Sequence, residues 1–148
     1  MQASVSIIIE RPIAAVFAFA ANVENMDKWV VGVTEPRRTS DGQFGVGSTF
    51  FSKYTYAGKT HDINYVVTAY DPPRRQAVKS TSGPFPFVGT IELEAAGSGT
   101  KITNTIDAGS DSAATSAIFF LCGPLLRRMM RKQLRKELEE LKKNVESV

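Results

Sequence analysis

The stretch LLRRMMRKQLRKELEELKKNVESV, Leu125–Val148, decides the fold. Leu126, Met130, Leu134, Leu138, Leu141 and Val145 follow one another at spacings of four or three, which lines a single face of a helix. Between them lie Arg127, Arg128, Arg131, Lys132, Arg135, Lys136, Glu137, Glu139, Glu140, Lys142 and Lys143, so the opposite face is expected to be solvated. A helix of this length must bury its apolar stripe against something. The chain before it reads as strands, so the partner is a sheet and the class is α+β.

Working back from the helix, Ile118 to Cys122 is apolar on all sides, as for an element enclosed by protein. Gly123-Pro124 follows, and Pro124 is expected to kink or break the helix, or to start it. The apolar run Ala113–Leu126 is shorter than the roughly 20 residues a membrane span needs. With no basic-then-apolar leader at the N-terminus, the chain reads as soluble and cytoplasmic. Cys122 is the single cysteine, which excludes a disulfide framework and a thiolate metal cluster.

The net charge of +3 is uneven: eight basic and four acidic side chains lie from Arg127 onward, against ten and eleven before it. The bland account is a solvated face paired internally, for example Arg135–Glu139 and Lys136–Glu140 at i,i+4. No aromatic side chains interleave with the basic ones, so nucleic acid is not an expected partner. A weak contact of the basic helix with a membrane surface is the charge-driven alternative.

From the N-terminus, Gln2–Glu10 is β-rich and about strand length. Pro12 suits the start of a short helix ending near Ala21, and Asn22 caps a second short helix ending near Trp29. Six strands follow, over Val31–Thr39, Ser48–Tyr56, Thr60–Tyr70, Arg74–Ser82, Phe85–Glu94 and Thr100–Asp107. Between them are turn signals, among them Ala57-Gly58-Lys59, Asp71-Pro72-Pro73 and Gly97-Ser98-Gly99. With no repeat and no linker, residues 1–148 form one domain.

Period-two alternation assigns faces. Gly89, Ile91 and Leu93 point inward, as do Ile102, Asn104 and Ile106, and likewise His61, Ile63, Tyr65 and Val67. On the second strand of the sheet's own series, Phe50, Ser52, Tyr54 and Tyr56 are expected inward, although Phe51 conflicts with that parity.

This order of elements, with Arg11-Pro12-Ile13-Ala14-Ala15-Val16-Phe17, Trp29, Tyr70-Asp71-Pro72-Pro73-Arg74 and Gly99-Thr100-Lys101-Ile102-Thr103, resembles the START-related superfamily in its polyketide cyclase/dehydrase and lipid-transport (SRPBCC) branch. The resemblance implies the helix-grip fold. That is a seven-stranded curved antiparallel sheet, with two short helices after strand 1, wrapped around a long C-terminal helix. It also implies an apolar cavity between sheet and helix, and a hydrophobic small-molecule ligand such as a lipid or polyketide. Fold alone does not choose between carriage and chemistry.

The expected walls are Phe50, Tyr54, Ile63, Tyr65, Phe87, Ile91, Asn104, Phe119, Cys122, Leu126 and Met130, with Trp29 mainly as packing and only secondarily as wall. Asn104 is either a ligand-facing amide or one satisfied by backbone. His61, the single histidine, is the natural acid–base group, though a lone histidine near a strand start also suits an edge position. It cannot assemble a three-ligand metal site by itself, and no cofactor is expected. The leading reading is binding or carriage of a hydrophobic molecule. The alternatives are a small cyclase or dehydratase using His61 or a tyrosine for proton transfer, and an interaction protein docking through its basic helix.

Overall fold

A computed structural model describes residues 2–109 and 113–147, with side chains described for 2–109 and 123–147. The chain runs β1 (Gln2–Ile9), α1 (Ile13–Ala20), a 3-10 helix (Val23–Lys28), β2 (Val33–Arg38), β3 (Thr49–Tyr56), β4 (Lys59–Asp71), β5 (Arg75–Ser82), β6 (Phe87–Ala96), β7 (Gly99–Ala108) and α2 (Ala113–Glu146). The strands form one antiparallel sheet in the order β1-β7-β6-β5-β4-β3-β2. This is the helix-grip arrangement the element order implies.

Local chemistry explains the boundaries. Pro12 is extended and precedes the first turn of α1, where its missing N–H leaves no helix bond unmade. The Asn22 side chain accepts the Glu24 N–H at 3.1 Å and so starts the 3-10 helix. Tyr56 pairs with Lys59 across Ala57 and Gly58, both at positive φ, which makes a two-residue hairpin of the tight primed kind. Ser4 and Ser6 face outward and bond Thr105 and Thr103 on β7 at 2.8 and 2.7 Å, tying β1 to its only neighbour.

The stripe of α2 behaves as its spacing predicts. Leu134, Leu138, Leu141 and Val145 are buried with Val5 and Ile9 of β1, Val16 and Phe17 of α1, and Trp29. Leu126 and Met130 are only half-buried. The far end of α2 is clipped to the turn after β1: Glu146 accepts the Glu10 N–H at 2.8 Å, and Arg11 donates to the Glu146 carbonyl. Lys142 reaches both Glu146, at 2.7 Å, and the Ile8 carbonyl, at 2.9 Å.

Four sequence expectations need correction. Of the outcomes expected at Pro124, neither a break nor a start occurs: α2 continues through it and tolerates the loss of one backbone N–H. Glu137, expected on the solvated face, is 4% exposed. Tyr56 is 61% exposed, because it closes the β3–β4 hairpin beyond the core. The pairs Arg135–Glu139 and Lys136–Glu140 do not form; the ion pairs described on α2 are Lys142–Glu146 and Lys143–Glu140. The parity conflict at Phe51 also resolves: it lies on the outer face, with the Arg37 guanidinium 4.7 Å from its ring centre.

Gly32, just before β2, has φ +84, and a Cβ there would lie 2.8 Å from the Thr55 carbonyl oxygen. Strain and close approach coincide, so Gly32→Ala is expected to cost about 2 kcal/mol or more. Urea unfolding reads this directly, and an unchanged midpoint would contradict the close approach of β2 to β3.

Candidate ligand-binding site

The inner face of the sheet is built in rows that follow from register. Val5, Asn104, Ile91, Gln76 and Tyr70 are successive cross-strand partners on β1, β7, β6, β5 and β4, so they share one face. The next row is Ala3, Ile106, Gly89, Val78 and Val67. Beyond it come Ala108 beside Phe87, and Ser80, Tyr65 and Phe50. Tyr70 joins the inner face because a bulge between Val67 and Ala69 adds one residue and reverses the parity beyond it.

Most of the sequence-predicted wall is brought together here. Phe50, Ile63, Tyr65 and Ile91 are buried, Asn104 is 6% exposed, and Phe87 is half-buried. Phe50 stacks on Tyr65 with ring centres 4.3 Å apart, and Phe87 meets Tyr65 edge-on at 6.0 Å. The Tyr65 phenol shares a 2.7 Å hydrogen bond with Ser52; burial pushes its pKa up and that bond partly offsets the rise. Trp29 packs in the main core with the α2 stripe rather than with this aromatic group. The side chains of Phe119 and Cys122 lie outside the described residues.

Two features of this wall were not legible in the sequence. Gly89 leaves the middle row without a side chain, between Ile106 and Val78, whose atoms would lie 3.4 and 3.6 Å from an added Cβ. Gln76, 6% exposed in the row beside it, has its Oε1 buried with no hydrogen-bond partner. Ile106 and Val78 thus close over the glycine at ordinary contact distance, and the wall beside them carries a buried amide with unused capacity.

Near the β3 end lies a second polar group of side chains. Tyr54 pairs in register with Val33 and His61, so the three share the inner face; Tyr54 and His61 are half-buried. Burial raises the Tyr54 pKa, and a hydrogen bond with Gln133 opposes the rise. Gln133 also donates to Glu137 at 3.3 Å, and the Val31 N–H donates to the same carboxyl oxygen at 3.0 Å. Burial drives the Glu137 pKa up to about 7, with the Val31 and Gln133 bonds working against it. Glu137 can therefore change protonation near neutrality. Its partners are a backbone amide and a neutral side chain, which make it a clip between α2 and the turn before β2. His61 has no hydrogen-bond partner among the described residues that would orient it as a base.

The two openings described around this core are lined by residues other than Gln76, Gly89, Ile91 and Asn104. One, ≈ 580 Å³, runs between α1 and the Phe44 and Pro72-Pro73 turns, with Phe17 and Tyr70 at its floor. Tyr70 also belongs to the inner row beside Gln76, so this groove adjoins the wall. The other, ≈ 700 Å³, is bordered by Ile13 of α1, Arg74, Arg75, Glu92, Leu93 and Glu94. Among the described residues no three potential metal-ligating side chains come together. No described helix is long and apolar enough to cross a membrane.

A family model described as polyketide cyclase / dehydrase and lipid transport matches residues 1–146. No curated protein matches the chain. Among solved structures, a protein from Thermus thermophilus superposes with a TM-score of 0.79 at 17% identity, over 99% of this chain and 98% of its own. The Zhui aromatase/cyclase from a Streptomyces species gives a TM-score of 0.78 at 14% identity, covering 99% and 93%. A START superfamily protein from Mycobacterium smegmatis gives 0.78 at 12% identity, covering 99% and 97%. At such identities these likenesses bear on fold.

Proposed function

Because the chain belongs to the polyketide cyclase / dehydrase and lipid transport family, we propose that it binds an apolar small molecule on the inner wall of the sheet, between that wall and α2. The observation that carries this reading is the buried, unpartnered Gln76 Oε1 set among the apolar side chains of the inner wall. Apolar burial against Ile91, Ile106, Val78 and Phe87 supplies affinity, and a hydroxyl or amide of the ligand completes Gln76. Asn104, two strands from Gln76 in the same row, offers a second orienting amide.

A cyclase or dehydratase would find its proton-transfer groups in Tyr54 and His61, which are opposite one another on β3 and β4. No carboxylate or amide among the described residues orients His61, so binding stands ahead of catalysis.

The test uses the uncharged fluorophore N-phenyl-1-naphthylamine. The wild-type chain is expected to enhance its emission saturably, and Gly89→Phe, which crowds the wall at Ile106 and Val78, to reduce affinity at least about tenfold, the worth of one to two buried methylenes. Circular dichroism checks that the variant folds, and Gly89→Ala serves as the milder substitution. No uptake by the wild-type chain, or equal uptake by Gly89→Phe, sinks the reading.

A further inference from the structure

We propose that the exposed face of α2 over Leu125–Lys136 docks on an anionic phospholipid bilayer. This segment holds six cations and no acid. Arg128, Lys132 and Lys136 succeed one another at i,i+4 and are exposed, as are Arg131 and Arg135 at the same spacing. None of these five makes an ion pair among the described residues: Glu137 is used on Val31, Glu140 on Lys143 and Glu146 on Lys142, and the exposed Glu139 is paired with none of them. Helix-internal neutralisation, which would make the face inert, is absent from this part of the described helix.

A bare cationic face would suit any polyanion, and the apolar residues on it decide between occupants. Leu125 and Met129 are 62% and 57% exposed, four residues apart, beside the Arg128–Lys132 row. They lie opposite the stripe that packs on β1 and α1, and belong to neither hydrophobic core cluster of the described residues. A cationic row alongside an exposed apolar pair on a helix is the arrangement that lies in a lipid headgroup layer, cations on phosphates and apolar side chains below them. A nucleic acid would call for stacking rings, and the segment has none. The inference is independent of what the inner wall binds, and N-phenyl-1-naphthylamine uptake tests that separately.

The experiment is vesicle flotation of the full chain with phosphatidylcholine alone and with equal parts phosphatidylcholine and phosphatidylglycerol. Binding to the anionic vesicles only is expected, with strong weakening as salt rises from about 0.05 to about 0.5 M. Lys132→Ser with Lys136→Ser should lower affinity about thirtyfold, at about 1 kcal/mol per cation. Leu125→Ser with Met129→Ser should weaken vesicle binding severalfold. All four positions are exposed, and thermal melts confirm that folding is unchanged. Equal binding to both vesicle types, no binding to anionic vesicles at low salt, or insensitivity to the lysine pair overturns the proposal. So does tighter binding of a mixed-sequence single-stranded RNA that ignores the Leu125/Met129 change, which would make nucleic acid the occupant.

Discussion

Glu137→Gln is expected to make the protein more stable than wild type by about 3 kcal/mol above neutral pH, and to leave it nearly unchanged at the pH of an ordinary carboxylate. The folded-state pKa is raised from 4.5 to about 7, chiefly by burial. A group whose folded pKa is raised favours the folded state while it is protonated. Its contribution is full below about 4.5 and is lost as the pH climbs through about 7. At about 1.4 kcal/mol for each unit, the loss is on the order of 3 kcal/mol. Glutamine keeps an oxygen for the Val31 N–H and carries no charge, so its stability lacks this component. The measurement is a set of urea unfolding curves for both chains across this range. Other groups titrate equally in the two, so the difference between the curves isolates Glu137. Parallel pH profiles would show that the carboxyl is better solvated than its 4% exposure implies.

The same residue shows where sequence reading stopped. The α2 stripe was legible because Leu134, Leu138 and Leu141 need only helical spacing to find a common face. Glu137 lies at the flank of that stripe, and its burial is decided by an amide at Val31, 106 positions away. A local signal did exist: Gln133 and Glu137 are i,i+4 and border the leucines. Tyr70 was missed for a different reason. Alternation along β4 correctly turns Ile63, Tyr65 and Val67 inward, but the bulge before Ala69 resets the count. Tyr70 then meets Phe17 and Phe44, with ring centres 5.8 and 5.3 Å away. Parity turns Gly89 inward, yet that Ile106 and Val78 close over it follows only from register. Side-chain period is a local property of the chain; bulges, register and buried polar partners are not.

Two leucines on α2 provide the sharpest check on the helix's orientation. Leu138 is 0% exposed in the core formed with β1, α1 and Trp29, whereas Leu125 is 62% exposed. Leu138→Ala is expected to cost about 2–5 kcal/mol, because the transfer loss of the deleted atoms is joined by the cavity they leave. For a chain of this size that lowers the melting temperature by about 2–4 °C for each kcal/mol. Leu125→Ala removes identical atoms from solvent-exposed surface and should change stability by no more than about 0.5 kcal/mol. The membrane proposal adds an opposite ordering on a second readout. Leu125→Ala weakens binding to anionic vesicles, while whatever folded Leu138→Ala protein remains binds them as wild type does. Comparable losses of melting temperature at the two sites would mean that α2 is rotated about its axis, and the basic face would then lose its argument as well.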